Sequence, residues 1–266
     1  MTTSRTMPLN KSLHRALEIL SCFSEETPEW GVSELSRHLN ISKSSVSTIL
    51  TTLAQEDLVQ QLPMSRRYHL GLGCLSLGFL SSTRIRLRDI AYPYLESLLQ
   101  DNRIIYLAIP YKNEVMYIEA LYPSKRNINH SALGRRAPMH CTGIGKAMLA
   151  FMSSETIDIF AASPLQSFTA NTITDKKALV NELKRTKEQG YATDIQEREE
   201  GIQCVAAPIR SNDGTVIAGL SVSGSSSEIS KDKFPDIAHE VIEVSRDISR
   251  KIALLGYNII DSITLL

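Results

Sequence analysis

The segment from Val32 to Gly71 constrains the fold of this chain more than any other. It reads VSELSRHLNISKSSVSTILTTLAQEDLVQQLPMSRRYHLG, in which two short helix patterns are separated by a turn and followed by a basic hairpin. This order of elements is typical of a winged helix-turn-helix, a module that places its second helix in the major groove of DNA. The alternative is an ordinary amphipathic helix pair whose serine- and threonine-rich face is merely solvated.

Apolar residues at helical spacing predict one helix before this segment and two helices inside it. Ser12, Ser33 and Ser42 are predicted to cap these helices, because a serine hydroxyl can accept a backbone N–H at a helix start. Asn40 tolerates the left-handed conformation that a tight turn needs. The apolar positions are Leu13, Ala16, Leu17, Leu20 and Phe23 in the first helix, Val32, Leu35 and Leu39 in the second, and Val46, Ile49, Leu50 and Leu53 in the third.

The face of the third helix opposite its apolar stripe carries short hydroxyl side chains and one lysine but no acid. Short side chains let a helix approach phosphates and base edges closely, and a lysine supplies positive charge. Two arginines in the hairpin that follows suit phosphate contacts beside the groove. The predicted DNA-binding residues are therefore Ser42, Lys43, Ser44, Ser45, Ser47, Thr48, Arg66 and Arg67.

The bulk composition fits a globular chain of two domains and leaves the DNA hypothesis open. The 266 residues are 42% hydrophobic and 22% charged, and the formal net charge is zero. A DNA-binding protein without a basic excess must concentrate its positive charge locally. Charges interrupt the first apolar run, so no signal peptide is expected, and no stretch is long and apolar enough to span a bilayer. We therefore expect a cytoplasmic protein with no membrane partner.

The cysteines give no sign of a metal site of the zinc-finger type. No two of them have the CxxC spacing of a zinc ribbon or finger. Their isolation suits reduced thiols in the cytosol, and no cofactor is expected. The four are Cys22, Cys74, Cys141 and Cys204.

Residues 72–101 read as two helical pieces that connect the predicted domains. The first piece is rich in leucine and glycine, and the second contains Pro93, which should kink the helix or lie in its first turn. A hydrophobic linker of this kind often forms a dimer seam, and packing against its own domain is an equally open alternative. We predict a DNA-binding domain at 9–73, a linker with dimer contacts at 74–101, and an effector-binding domain at 102–257.

The rest of the chain alternates strand and helix patterns, which predicts a mixed α/β (α+β) fold. Asn212-Asp213-Gly214 is a strong hairpin signal, and Gly190 is typical of the residue just after a helix end. Strands are predicted over 103–110, 115–121, 191–195, 203–210 and 215–223, and helices over 143–152, 176–189 and 236–255.

Three places in this region carry small or polar residues that suit a ligand. In the run Pro138–Lys146, small residues lead into a helix whose free N–H groups can receive an anion, although the glycine spacing is not that of a Walker A motif. Period-two alternation along the last predicted strand places Ser221 and Ser223 on one face, beside a glycine. Asp194 and Cys204 lie on neighbouring predicted strands. Each place also has a plainer explanation, as core or solvent-facing residues.

Two other classes of site use some of the same residues. Cys204, His140 and Asp194 resemble a nucleophile, a base and an orienting acid, although nothing in their spacing requires an enzyme. The same three residues with Cys141 are side-chain types that bind zinc if they converge, which would make the chain a metal-responsive regulator.

Together, these motifs make the chain similar to the IclR family of bacterial transcriptional regulators. The resemblance covers about Leu13 to Gly256 and rests on the helix-turn-helix, the hairpin RRYHLG, and the blocks PMHCTGIGKAMLAF, LKRTKEQGYATDIQEREEGIQCVAAPI and GTVIAGLSVSG, in that order. It implies a winged helix-turn-helix joined by a linker helix to a GAF-like antiparallel-sheet effector domain. It also implies a homodimer or a dimer of dimers that binds double-stranded operator DNA and responds to organic acids, sugar acids or aromatic catabolites.

The resemblance further implies which residues hold the effector. Gly143 and Ile144 correspond to the backbone donors of the family's pocket. Asp194 and Cys204 correspond to its wall, and Ser221 and Ser223 to the hydroxyl groups on its floor.

Two features depart from the family pattern. Many relatives carry an arginine in the recognition helix where this chain has Thr48, so its base preference does not follow from the family. Arg126 and Asn129 replace residues that are apolar in some relatives, and if they reach the site they favour a more polar or acidic effector, such as a sugar acid. We expect a non-enzymatic regulator of a catabolic operon, with repression favoured over activation and a carboxylate as effector.

Overall fold

A computed structural model describes residues 9–82, 86–100, 102–123 and 132–255. The chain divides into two compact units, the first ending at residue 84 and the second beginning at residue 85. None of the helices in the described ranges is long and apolar enough to cross a membrane. The four cysteines are all free thiols.

The first unit is a winged helix-turn-helix followed by one more helix, as the sequence predicts. Trp30 also forms an isolated antiparallel bridge with Tyr68, which adds a third extended segment to the hairpin. The elements are α1 (Lys11–Ser21), α2 (Val32–Leu39), α3 (Lys43–Gln55), β1 (Val59–Gln61), β2 (Tyr68–Leu70) and α4 (Leu72–Ser82).

The predicted caps are right for α3 and wrong for α1. Ser42 caps α3, where its hydroxyl accepts the N–H of Ser45 at 3.2 Å. Helix α1 is capped by Asn10 instead of Ser12, because the Asn10 side chain accepts two N–H groups of the first turn.

The cap of α2 also differs from the prediction. The helix begins at Val32 with Gly31 as its cap, so Ser33 lies inside the first turn. The Glu34 carboxylate accepts the N–H of Gly31 at 2.8 Å, which supplies the cap from within the helix. Asn40 ends α2 in the left-handed region at φ 54°, as predicted.

The core of the first unit lies between its first three helices and the hairpin. Of the apolar positions predicted for the first helix, Ala16, Leu20 and Phe23 pack against this core as partly buried residues, whereas Leu13 and Leu17 are 60% and 54% exposed. The fully buried residue is Ile19, which the prediction did not include. Helix α4 buries none of its residues. The buried core residues are Ile19, Leu35, Ile41, Val46, Leu50, Leu53, Val59 and Tyr68.

The second unit is an antiparallel sheet with helices on both faces. Its elements are α5 (Arg86–Glu96), β3 (Ile104–Tyr111), β4 (Glu114–Leu121), β5 (Arg136–Pro138), α6 (Gly143–Leu149), α7 (Ser154–Ala162), α8 (Lys176–Gln189), β6 (Ala192–Ile195), β7 (Ile202–Arg210), β8 (Val216–Ser225) and α9 (Phe234–Leu254). Within the described ranges the sheet has six strands in the order β5-β4-β3-β8-β7-β6, and every neighbouring pair is antiparallel.

The two faces of this sheet differ chemically. On one face, α5 and α9 pack on a layer of large aliphatic side chains, among them Ile105, Leu107, Val205, Leu220 and Val222. On the other face, α6 packs on smaller side chains of the sheet, among them Ala108, Ala192 and Ala206, while α8 packs on α6 and α7 packs on α8. The small side chains leave room on this second face for polar residues between the sheet and α6.

A β-bulge shifts the predicted alternation of the last strand. Ile209 pairs with Ala218, but Arg210 pairs with Val216, so Ile217 is an extra residue in β8. Ile217 therefore joins the aliphatic core and Val216 the opposite face, the reverse of the prediction. From Ala218 to Ser223 the alternation is as predicted.

The other elements follow the sequence pattern with a few additions. Helix α8 has the predicted bounds, and Gly190 ends it with φ 83° in the left-handed region. The strand β5 and helix α7 are not predicted by the sequence pattern, and Pro93 lies inside α5 beyond its first turn.

Candidate DNA-binding surface and ligand site

The outer surface of α3 is rich in hydroxyl groups. Ser42, Lys43, Ser44, Ser47, Thr48, Thr51 and Thr52 are exposed, and Ser45 is half-buried. We call this surface the hydroxyl face of α3. It contains all of the α3 residues that the sequence predicted to bind DNA, and the apolar stripe lies on the opposite side in the core.

The threonine hydroxyls of this face turn back onto the helix. Each donates to the carbonyl oxygen four residues earlier: Thr48 to Ser44 at 3.0 Å, Thr51 to Ser47 at 2.9 Å, and Thr52 to Thr48 at 3.1 Å. Such a bond satisfies the hydroxyl hydrogen within the protein and competes weakly with the helix ladder.

The hairpin places its two arginines differently. Arg66 is exposed in the turn, in the left-handed region with φ 59°. Arg67 is turned back: its Nη1 donates to Glu34 Oε1 at 2.9 Å and its Nη2 to the Glu29 carbonyl at 2.8 Å. Arg66 therefore presents its charge to solvent, whereas Arg67 holds the hairpin against the start of α2.

Four predicted effector residues lie side by side on the α6 face of the sheet. Asp194 is directly opposite Cys204 in the β6–β7 pair, and Cys204 is opposite Ser223 in the β7–β8 pair. Ser221 lies two residues along β8 on the same face. All four side chains are buried, and we call them the polar row.

The first turn of α6 lies directly over the polar row. A methyl group on Gly143 would lie 2.7 Å from Cys204 Sγ and 3.3 Å from the Asp194 nitrogen, so a larger residue would push α6 away. The backbone N–H of Gly143 lowers the pKa of the Cys204 thiol and so partly opposes the effect of burial. Ile144 packs on Gly219, where an added methyl would lie 2.9 Å from Ile144 Cγ1. The structure thus brings the predicted backbone donors to the polar row.

Burial controls the protonation states of these residues. It raises the pKa of Asp194 to about 7, although the Glu197 N–H, which donates to Asp194 Oδ1 at 2.7 Å, opposes that rise. Burial, with the Asp194 charge, raises the pKa of the Cys204 thiol. Burial also raises the pKa of the Tyr117 hydroxyl, and Cys204 adds to this effect. The thiol and the phenol therefore stay protonated at neutral pH.

A buried ionic cluster adjoins the polar row. Lys146, whose side chain is 1% exposed, pairs with Glu197 and with Glu182 at 3.4 Å, and Arg185 pairs with Glu182 at 2.7 Å. Burial raises the pKa of Glu197, and Lys146 opposes that rise. Sequence reasoning missed this cluster, because its members are far apart in the chain and the only local signal is a lysine within small apolar residues.

The segment 166–172 covers the end of β6 beside this cluster. Thr169 Oγ1 donates to the Gln196 carbonyl at 2.6 Å, and Thr172 Oγ1 donates to the Glu197 carbonyl at the same distance. Arg198 stacks on Phe168, with 4.1 Å from its Cζ to the ring centroid. Arg198 is another residue that sequence reasoning missed.

The geometry does not suit the two alternative sites. His140 Nε2 is 2.9 Å from the Gln166 carbonyl, and burial lowers the pKa of its imidazole. Cys204 is a protonated thiol, whereas catalysis needs a thiolate. Among the described residues, no group of three or more His, Cys, Asp or Glu side chains is placed to hold a metal ion. Arg126 and Asn129 lie outside the described residues.

Comparison with known proteins gives matches over both units. The model of the IclR helix-turn-helix domain matches residues 12–63, and the model of the bacterial transcriptional regulator IclR C-terminal domain matches residues 79–250.

Individual relatives match nearly the whole chain. The HTH-type transcriptional regulator XynR of Escherichia coli (strain K12) is 31% identical over 253 residues, which cover 94% of this chain and 99% of the relative. The HTH-type transcriptional repressor AllR of the same organism is 30% identical over 249 residues, which cover 93% and 92%. The structure of an IclR homologue from Microbacterium hydrocarbonoxydans complexed with 4-hydroxybenzoate has a TM-score of 0.75 at 24% identity, covering 91% of this chain and 98% of that one.

Proposed function

Because the chain belongs to the IclR family of bacterial transcriptional regulators, we propose that the hydroxyl face of α3 contacts operator DNA and that the polar row binds the effector controlling this contact. The chain is a DNA-binding transcriptional regulator, like its relatives, and not an enzyme. The proposed regulation is repression of a catabolic operon in the cytoplasm, and the proposed effector is a small carboxylate.

The exposed, acid-free hydroxyl face carries the DNA-binding part of this proposal. In a winged helix-turn-helix the second helix of the motif lies in the major groove, and its N-terminal residues reach base edges. Here those residues are Ser42 to Thr48, with Lys43 as the positive charge. Arg66, exposed at the hairpin turn, is suited to a phosphate beside the groove. Arg67 supports the hairpin through its bonds to Glu29 and Glu34.

The buried polar row carries the effector part of the proposal. A few polar groups that converge in an otherwise apolar interior are typical of a ligand site, so an acid, a thiol and two hydroxyls together on one face favour a ligand-binding role over a packing role. Burial raises the pKa of the Cys141 thiol to about 12, and the nearby positive charge of Arg198 opposes that rise. The same positive charge would stabilise a bound anion. The Microbacterium homologue binds 4-hydroxybenzoate, which is a carboxylate. Arg126 and Asn129 are retained as further candidates.

An apolar surface on α4 supports self-association. Leu72, Leu75 and Phe79 are 77%, 70% and 65% exposed, and the helix buries none of its residues within its own unit. Exposed apolar clusters of this kind mark interaction surfaces. A homodimer, or a dimer of dimers, would present two copies of α3 to half-sites roughly 34 Å apart. We propose residues 74–101 as the dimer region, between a DNA-binding domain at 9–73 and an effector domain at 102–257.

The effector would act by favouring one dimer geometry. A ligand that binds one geometry better shifts operator affinity by its differential affinity, typically about 1–3 kcal/mol, or roughly 5- to 150-fold. A small acid would then release or strengthen operator binding without touching the DNA-binding unit.

Binding of the purified protein to the DNA upstream of its own gene tests the proposal directly. Fluorescence anisotropy at a series of salt concentrations should show specific binding over an unrelated fragment. Lys43→Ala should weaken binding and reduce the salt slope by about one, because one phosphate contact is lost. Lys176→Ala, an exposed lysine in the second unit, is the matched control. Binding that is the same for both fragments and insensitive to Lys43 would contradict the proposal.

Effector binding is tested by thermal-shift measurements with a panel of small carboxylates that includes 4-hydroxybenzoate and several sugar acids. A hit should change operator affinity, and both effects should be lost in Gly143→Ala, because the added methyl occupies the space over Cys204. Ala150→Gly, in the residue after α6, controls for a general disturbance of the helix.

A further inference from the structure

We propose that the hydroxyl face of α3 recognises thymine methyl groups, so that the operator half-site is centred on A·T base pairs. The inference rests on the proposed position of α3 in the major groove, and it names the base pairs that the helix reads. The residues that make these contacts are Thr48 and Thr51.

Four short side chains form the centre of the hydroxyl face. Ser44, Ser47, Thr48 and Thr51 follow the i, i+3, i+4, i+7 spacing of one helical stripe, and all four are exposed. No long side chain stands between this stripe and a partner in the first two turns, so the helix backbone can come close to the floor of the groove.

The hydroxyl hydrogens of this stripe are mostly used within the protein. Thr48 and Thr51 donate to helix carbonyls at 3.0 and 2.9 Å. Ser42 donates to the Ser45 hydroxyl at 2.8 Å, so in its 3.1 Å contact with Ser44 the Ser44 hydroxyl is the donor, because each hydroxyl has one hydrogen. These hydroxyls can accept a hydrogen bond from DNA, but they have no hydrogen left to donate.

The same bonds turn the threonine methyl groups outward. The hydroxyl and the methyl of a threonine occupy different staggered positions about Cα–Cβ. When the hydroxyl is held against the preceding turn of the helix, the methyl is the part of the side chain that faces a partner. Thr48 and Thr51 therefore present an apolar group flanked by a hydrogen-bond acceptor.

Each base pair offers a different pattern to such a surface. Guanine presents only acceptors in the major groove and is usually read by a donor such as arginine or lysine. In the first two turns of α3, the side-chain hydrogens outside the hydrogen bonds that the structure describes belong to Lys43, Ser47 and Ser45, and Ser45 is half-buried. Both kinds of base pair present an amino donor to the threonine oxygen, on adenine or on cytosine, but only thymine presents a C5-methyl group, which a threonine methyl contacts well. The face thus favours A·T over G·C.

Selection from a randomised DNA library, followed by thymine-to-deoxyuridine substitution in the selected site, tests this inference. Deoxyuridine pairs like thymine but lacks the C5-methyl group. We expect conserved A·T pairs at the centre of each half-site and a loss of about fourfold in affinity for each contacted methyl removed, from the value of one buried methylene. Deoxyuridine in the flanking sequence is the DNA control.

Threonine variants assign the contacts. Thr48→Ser and Thr51→Ser should each abolish the deoxyuridine effect at one position, because they lack the methyl and keep the hydroxyl. Thr48→Val should retain the effect, because it keeps a methyl in the same place. Thr156→Ser, exposed in the second unit, should change nothing.

The outcomes separate this inference from the proposed function. If the selected half-sites centre on conserved guanines, or if deoxyuridine and Thr48→Ser act additively, thymine reading is wrong while the regulator function stands. If no sequence is enriched, the placement of α3 in the groove and this inference both fail. Circular dichroism confirms that each variant is folded.

Discussion

The hydroxyl face of α3 and the polar row of the second unit carry similar side chains in opposite surroundings. On α3 the serines and threonines are exposed, apart from the half-buried Ser45, so water remains available to their polar atoms. In the polar row the two serines lie buried beside Asp194 and Cys204, and burial moves the pKa of Asp194 to about 7. An exposed polar side chain keeps the protonation behaviour of its residue type, whereas the protonation of a buried one depends on its burial and its neighbours.

This difference extends to stability. Substitutions on an exposed face usually change the free energy of unfolding by less than 0.5 kcal/mol, unless they remove a cap. A buried charge that loses its partner costs several times more. The single tryptophan, Trp30, lies in the first unit, so its fluorescence follows that unit, and circular dichroism follows both.

The largest expected effect tests the buried side of the comparison. Lys146→Met leaves Glu197 and Glu182 without their shared cation and should destabilise the second unit by about 3–5 kcal/mol. Guanidinium unfolding measures this as an earlier circular-dichroism transition with an unchanged tryptophan transition. Lys176→Met removes an exposed pair with Asp158 at 3.7 Å and should cost about 0–1 kcal/mol. Equal costs for the two variants would show that the cluster is not stabilising.

The next effect depends on pH. In the folded protein Asp194 keeps its proton up to about pH 7, whereas the ordinary pKa is 3.8. The folded state thus binds more protons between these values, and wild-type stability falls as the pH rises from the lower to the higher one. Asp194→Asn should remove this fall and gain up to about 4 kcal/mol at pH 8, with the gain shrinking as the pH approaches 3.8.

Thermal unfolding at several pH values measures the Asp194 effect. Asp213→Asn is the control, because Asp213 is exposed and its pKa is lowered by hydrogen bonds from Ser211 and Thr215. Its substitution should cost a little stability above pH 3.8 and almost none well below it, which is opposite in sign to the gain for Asp194→Asn. A gain for Asp194→Asn that is the same at every pH would mean that this carboxyl does not titrate as the burial argument requires.

The smallest expected effect is a change in the stability of the first unit by substitutions on the exposed hydroxyl face of α3. Ser42→Ala removes the cap of α3 and should destabilise the first unit by about 1 kcal/mol. Ser47→Ala, on the same face but without a capping bond, should change the stability by less than about 0.5 kcal/mol. Tryptophan fluorescence during urea unfolding resolves the two. A Ser47→Ala cost equal to that of Ser42→Ala would mean that the whole face, and not its cap alone, stabilises the helix.

The sequence predicted most elements of the fold because their signals are local. Ser42, Asn40 and Gly190 act within one turn of the backbone they cap, and their positions follow from residue type. The cap of α2 was not predicted, because it is supplied by the Glu34 carboxylate inside the first turn and not by a serine side chain before the helix. The apolar period located α1 and its partly buried Ala16 and Leu20, but it missed Ile19, the residue of this helix that is fully buried in the core.

The two candidate sites also differ in how much of each could be predicted from local sequence signals. The hydroxyl face was predictable because an exposed helix face is fixed by its own periodicity. The polar row was predictable in membership from the resemblance and from strand alternation. Which of its residues lie opposite one another was not, because the cross-strand register is set by how β6, β7 and β8 pair in the folded sheet. Arg67 shows what the local sequence does not predict. Its residue type suggests phosphate binding, but it bonds to Glu34 and Glu29, which lie more than thirty positions away along the chain.

The sequence by itself determined the helix-turn-helix, most of the strands and helices of the second unit, and the residue types at both sites. Those features depend on neighbours a few positions away along the chain. Only the tertiary structure decided that Lys146 pairs with Glu182 and Glu197, that Arg67 turns back onto Glu29 and Glu34, and that Asp194 holds its proton near pH 7. These depend on burial and on partners distant in sequence, whose proximity exists only once the chain has folded.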